Sequence, residues 1–200
     1  MRSSGRACCD DFPMWSNLPN NPRRGLQVVG LFILTLGMGA LALPSLGRMG
    51  ARGVSIQDLE TMRTSTKAAE TVAQLGPGGV DAAQTSIYLD FPMLVIYALA
   101  LSALCVVVAA RAAERGRSGL AGAGRTIAWL APVAAALDAV ENVALLQVLD
   151  GHIDQPWPGI AFGFAAVKFA LLAVVIVYLV VGLMVTLRRE TTAKTSADSS

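Results

Sequence analysis

Four long apolar runs decide what this chain can fold into. Leu26 to Leu46, Pro92 to Ala110, Thr126 to Leu149 and Gly159 to Leu187 each approach or exceed the roughly 20 helical residues that cross a hydrocarbon core of about 30 Å. Backbone inside lipid must satisfy its own hydrogen bonds, so runs of this length read as helices rather than open strands. The expectation is an all-α membrane protein, an antiparallel four-helix transmembrane bundle with an extracytoplasmic helical loop. Composition agrees: 54% of the 200 residues are apolar, 15% are charged and 19 are glycine, which suits helices packed through small side chains. Disorder, collagen and coiled coil are excluded for most of the length. A net charge of +2, with no basic stretch interleaved with aromatics, gives no reason to expect nucleic acid as a partner.

Lys and Arg near the run ends set the expected orientation. Arg23 and Arg24 precede the first run, Arg111, Arg115, Arg117 and Arg125 fill the second connection, and Arg188 and Arg189 close the fourth. The third connection, Asp150 to Pro158, has neither base. Both termini and the second connection are therefore expected on the cytoplasmic side of a bacterial inner membrane, with Arg48 and Arg52 opposing this mildly from a longer loop. Arg23-Arg24 before an apolar run that ends Ala40-Leu41-Ala42 also has the form of a twin-arginine leader, but the run continues to span length and an uncleaved helix is the simpler account.

Residues 23–189 are thus expected as the membrane domain, with 1–22 and 190–200 as disordered tails. In the first outside loop, Ser55 to Asp58 has the form of a capping box that opens a helix over about 55–75, stopped by Gly76-Pro77-Gly78-Gly79. The apolar stripe of that helix can lie on the bilayer, cap the bundle mouth or merely bridge two spans. Asp90-Phe91-Pro92 reads as the N-cap of the second span, or else Asp90 guards an outside entrance. Pro132 is expected to kink the third helix, while Gly30, Gly37, Gly39, Ala40, Gly159 and Gly163 are expected to admit a close neighbour, including another copy of the chain. Cys8, Cys9 and Cys105 support neither a disulfide framework nor a metal site. The run Asp150-Gly151-His152-Ile153-Asp154 is too poor in ligands to predict one, so no metal or other cofactor is expected.

Charge position carries most of the information. Of thirty charged residues only Asp138, Glu141 and Lys168 fall inside the runs. At about 1.5 Å per residue, Asp138 lies about 16 Å, Glu141 about 12 Å and Asn142 about 10 Å inward from Leu149, and Lys168 lies about 14 Å inward from Gly159. A short connection makes the third and fourth helices neighbours, so Lys168 is expected to face the acids. Asp138, Glu141, Asn142 and Leu145 share one helix face, which must point into the bundle. Each mid-bilayer charge costs at least about 2.5 to 3.5 kcal/mol, which nearly demands pairing. One lysine neutralises one acid, so Asp138 and Glu141 are expected to share about one proton, with Asn142 hydrogen-bonding to the pair.

The set Asp138-Ala139-Val140-Glu141-Asn142-Val143-Ala144-Leu145-Leu146, with Tyr88-Leu89-Asp90-Phe91-Pro92, Tyr97 and Lys168-Phe169, resembles a recurring pattern in small uncharacterised bacterial four-helix membrane proteins. The likeness covers roughly residues 85–185 and implies a membrane location without a reaction. Four spans with a long first outside loop are also similar in topology to claudin-like proteins, whose loop cysteines and tryptophan-rich motif are missing here. Sterol-isomerase-like proteins of the emopamil-binding group likewise keep acids inside a small bundle, but no pattern here carries their catalytic positions. No phosphate-binding loop, serine-nucleophile elbow, zinc-protease or dinucleotide motif occurs, and the single His lies outside the runs, so an enzyme is the less favoured class and no catalytic residue is assigned. The expected function is a small transporter-like or ligand-binding protein with a proton-linked site at Asp138, Glu141, Asn142 and Lys168, its partners being the bilayer and a proton or small polar ligand. The competitors are an assembly subunit whose ion pair only fixes helix register and a lipid-modifying enzyme using one acid as general acid.

Overall fold

The structure, a computed structural model, describes the backbone of residues 22–197 and the side chains of residues 33–185. Cys8, Cys9 and most of the expected N-terminal tail lie outside the described residues, as do 198–200. The described chain is all-helical: α1 (Pro22–Gly50), α2 (Ile56–Glu60), α3 (Ser65–Glu114), α4 (Ser118–Ile127), α5 (Leu130–Leu149) and α6 (Trp157–Ala197). Four stretches are long and apolar enough to cross a membrane: Ile33–Gly50, Ser65–Glu114, Ser118–Leu149 and Trp157–Val185. The backbone of α6 continues to Ala197, well into the stretch expected as a tail, because neither Gly nor Pro occurs after Gly182 to interrupt it.

The expected loop helix divides in two. Ser55 forms the capping box with Asp58, but α2 ends at Glu60, and Thr64 caps a new helix by accepting from the Lys67 amide. That helix, α3, runs 50 residues. As expected, the first helical stretch stops at Gly76, which takes φ 60°, ψ 176°, a conformation open to glycine; a second stretch starts straight after it with Pro77, whose missing amide costs nothing in a first turn, so α3 is two helices joined across a kink. Arg52 Nη1 donates to the Leu75 carbonyl at 3.2 Å, satisfying an acceptor that the bend frees. Helix resumes at once because Ala82, Ala83, Ser86 and Ile87 form a buried face at helical spacing. Asp90 therefore sits inside a running helix and is not an N-cap. Gln84 Nε2 donates to Asp150 Oδ1 at 2.7 Å, which puts Gln84, about two turns before Pro92, level with the end of α5.

Pro132 has no amide to bond the Ala128 carbonyl, which accepts from Ser102 Oγ at 2.8 Å instead, and the third run breaks as expected on that side of the proline, at Ala128 and Trp129 between α4 and α5. Within the chain, the glycine expectation is corrected. A Cβ on Gly30, Gly37, Gly39 or Gly163 would meet nothing within 4 Å, and on Gly159 only the Gln155 side chain. Close approach occurs instead at Gly124, against Tyr178 and Ala109, and at Gly182, against Val108. The reason is geometric: α1 packs mainly on α3, and Ile33, Leu34, Leu36, Leu41 and Leu43 face outward.

Two apolar clusters flank a polar layer. One joins Met49, Leu59, Met62, Leu75, Ile87, Leu145 and Val148, and the other joins Cys105, Val108, Ala128, Val175 and Tyr178. Leu59 and Met62 are both fully buried, each contributing about 1.5 to 3 kcal/mol if water is the alternative, which seats α2 and its following turn in one mouth of the bundle. Of the three arrangements open to the loop stripe, capping the bundle is the one observed. Asp138 on α5 and Lys168 on α6 lie between the clusters in sequence, and α5 and α6 make the most extensive helix contact in the chain.

Candidate functional site

Lys168 is the centre of the polar layer. Its Nζ donates to Asp138 Oδ1 at 2.7 Å and lies 2.7 Å from Glu141 Oε2. The facing of α5 and α6 acids and base inferred from depth is thus present as a buried ion pair. The Lys168–Glu141 approach is an ion contact off hydrogen-bond alignment, and Glu141 Oε1 has no hydrogen-bond partner among the described residues although Glu141 is 0% exposed. The ammonium also sits 4.9 Å from the centre of the Phe169 ring.

Asn142 does not serve the acid pair. Its Nδ2 donates to Asp90 Oδ2 at 2.7 Å, because the α5 face one turn on from Asp138 meets α3. Asp90, weighed from sequence as a cap or an entrance guard, is thereby a wall of the site. No base lies within ion-pair reach of it among the described residues. Tyr97, nearly two turns further along α3, donates its hydroxyl to Asp138 Oδ2 at 3.1 Å. Asp138 is thus held on one oxygen by the ammonium and on the other by the phenol.

One contributor has no counterpart in the sequence reading. Glu60, the last residue of α2, brings Oε1 to 3.4 Å from Lys168 Nζ, with its side chain 18% exposed. Burial holds its carboxyl above the ordinary glutamate range, outweighing the attraction of the nearby ammonium. Asp58, on the same short helix but facing water, is shifted the other way by the hydrogen bonds it accepts from Ser55.

Glu60, Asp90, Asp138, Asn142 and Lys168 all face one cavity of about 310 Å³, whose remaining wall is largely apolar. Met38, Leu46, Met93 and Leu172 are among those apolar wall residues, so α1 closes a side of the site to which its described residues supply no charge. Among the described residues no three His, Cys, Asp or Glu side chains are gathered to hold a metal ion. Chemically, the arrangement offers carboxyls in excess of cations, one phenol, one amide and an apolar floor. Comparisons with models of protein families, with curated proteins and with solved structures returned no match to this chain.

Proposed function

We propose that the chain is a small transporter-like or ligand-binding protein of a bacterial inner membrane, four antiparallel spans with both termini cytoplasmic, whose intramembrane carboxyl cluster exchanges protons as it binds and releases a ligand. The observation that carries this reading is the charge count. Three carboxyls, Glu60, Asp138 and Glu141, lie within 3.4 Å of the Lys168 ammonium, and a fourth, Asp90, faces the same cavity as Lys168. In a low dielectric a net deficit of three positive charges is not sustained, so the cluster neutralises itself with protons or with a bound cation. The unpartnered Oε1 of fully buried Glu141 points the same way. Location and orientation rest on the Lys and Arg pattern and on the resemblance carried by Asp138 to Leu146. The open glycine face of α1 is proposed as a surface for lipid or for another copy of the chain.

A pair that only fixes register is favoured by one observation, the two short contacts of Lys168 to a neighbouring helix. It leaves Glu60, Asp90 and the cavity without a purpose. Infrared difference spectra of the protein in lipid nanodiscs, recorded between neutral and alkaline pH, test the proposal. The expected result is a protonated carboxylic-acid band at neutral pH that weakens in Glu141→Gln and in Asp138→Asn. A neutral-pH spectrum with every carboxyl of the wild-type cluster ionised refutes it.

A further inference from the structure

Resting on that reading of the site, we infer its ligand class: a small amphipathic cation, an ammonium group on an apolar body, bound in the cavity with its charge between Asp90 and Glu60. Those two acids are the cavity-facing carboxyls not held at short range by Lys168. Asp90 has the Asn142 amide as its side-chain partner, and Glu60 is 3.4 Å from the ammonium, where Asp138 and Glu141 are 2.7 Å from it. An incoming positive charge thus meets two carboxyls without first breaking the Lys168–Asp138 pair.

The same geometry disfavours the other classes. An anion would face Glu60, Asp90 and Asp138 and would compete for an ammonium already engaged on two sides. A divalent metal wants several oxygens converging on one point, and among the described residues no such group of three exists. A neutral polar molecule leaves the excess of cavity-facing carboxyls, Glu60, Asp90 and Asp138 against Lys168, uncompensated. The apolar part of the wall, with Met38, Leu46, Met93 and Leu172, asks for a hydrocarbon body rather than a hydrated inorganic ion. A volume of about 310 Å³ lies at the small end of ligand pockets and sets the size as that of a small organic amine. Binding one cation relieves the need for one of the cluster's protons, so uptake is accompanied by proton release.

Titration calorimetry of the full chain in lipid nanodiscs tests this with three probes of like shape: phenethylammonium, the neutral 2-phenylethanol and the anionic phenylacetate. Phenethylammonium is expected to bind about tenfold or more tighter than the alcohol, the scale of one charge-assisted hydrogen bond, with phenylacetate weakest. Asp90→Asn and, separately, Glu60→Gln are each expected to weaken the ammonium without affecting the alcohol. Glu60→Gln lies at the cap and keeps the test available if Asp90→Asn does not fold. Equal binding of amine and alcohol, tighter binding of the anion, no binding of the amine, or amine binding indifferent to both substitutions overturns the inference. Repeating the amine titration in buffers of different ionisation enthalpy separates the two proposals. Heat independent of buffer supports the ligand class while refuting the proton-linked reading, and buffer-dependent heat with the alcohol alone does the reverse.

Discussion

Lys168→Met is the single change whose consequence can be worked out furthest. Methionine preserves an unbranched apolar stem and deletes the ammonium that sits 2.7 Å from both Asp138 and Glu141. Removing one partner of a buried ion pair costs about 3 to 5 kcal/mol, since the remaining charge has no compensation. A second route reaches the same size. Holding one carboxyl protonated at pH 7 against an ordinary aspartate value near 3.9 costs about 4 kcal/mol at 1.36 kcal/mol per unit. With the ammonium gone, the added cost is that of one extra proton on the cluster, because one positive charge has been lost.

That origin fixes the pH dependence. The cost of the extra proton shrinks by about 1.4 kcal/mol for each unit of acidification, so the variant's deficit is largest at neutral pH and much reduced near pH 5. For a chain of 200 residues, about 3 to 5 kcal/mol corresponds to roughly 6 to 20 °C in melting temperature. Thermal unfolding in lipid nanodiscs across this pH range is the assay. Combining Lys168→Met with Glu141→Gln alone recovers part of the loss, because Asp138 Oδ1 is also stripped of its cation; adding Asp138→Asn recovers most of it. A Lys168→Met deficit below about 1 kcal/mol, the worth of an exposed pair, or a deficit equal at both ends of the pH range, refutes the reasoning.

Gly124→Ala is expected to cost about 1 to 3 kcal/mol, since its Cβ would overlap the Tyr178 hydroxyl and come within 2.8 Å of Ala109 Cβ, whereas Gly37→Ala meets nothing and should shift the melt by no more than about 0.5 kcal/mol toward lower stability. Ser55→Ala loses the capping box at α2 and should cost about 0.5 to 2 kcal/mol; because Ser55 holds Asp58 below its ordinary value, the wild-type advantage fades as pH falls into the acid range. Glu60→Gln acts with the opposite sign. A carboxyl raised on folding binds more protons folded than unfolded, so wild-type stability falls as pH rises from 4.5, and the glutamine variant should lose that slope in a pH series of melts.

The part of this architecture legible in the sequence is the part governed by length and period. Apolar runs gave the helices, and depth counted along two helices joined by a short connection placed Asp138, Glu141 and Lys168 together, as their 2.7 Å contacts bear out. What stayed hidden depended on packing between segments distant in the chain. Glu60 lies outside the apolar runs, where a charge is ordinary, and nothing local says that its helix is pressed into the bundle mouth. The one usable signal was the apolar spacing of Ile56, Leu59 and Met62 beside it, two of which are fully buried. The N-cap reading of Asp90 fails although a proline two residues later is the usual mark of a helix start. The Ala82, Ala83, Ser86 and Ile87 face shows that the helix was already formed. Asn142 shared a face with the acids, yet a helix face as wide as a turn meets two neighbours, and its amide went to α3.

The added acids change what the cluster must do. One ammonium facing two acids is settled by a single shared proton and serves register as well as any other purpose. One ammonium within 3.4 Å of three acids, with a fourth acid, Asp90, joining it, Glu60 and Asp138 on the wall of a cavity of about 310 Å³, is more than register requires. The variant Lys168→Met/Asp138→Asn/Glu141→Gln separates the roles, because it removes the α5–α6 pairing while leaving Glu60 and Asp90 in place. If Asp90 and Glu60 take the cation while the α5 acids hold the exchangeable proton, this variant binds phenethylammonium within a few-fold of wild type but releases fewer protons in doing so. Wild-type proton release from the triple variant would place the exchangeable proton on Asp90 or Glu60 instead, and loss of amine binding from a folded triple variant would move the cation's seat to α5.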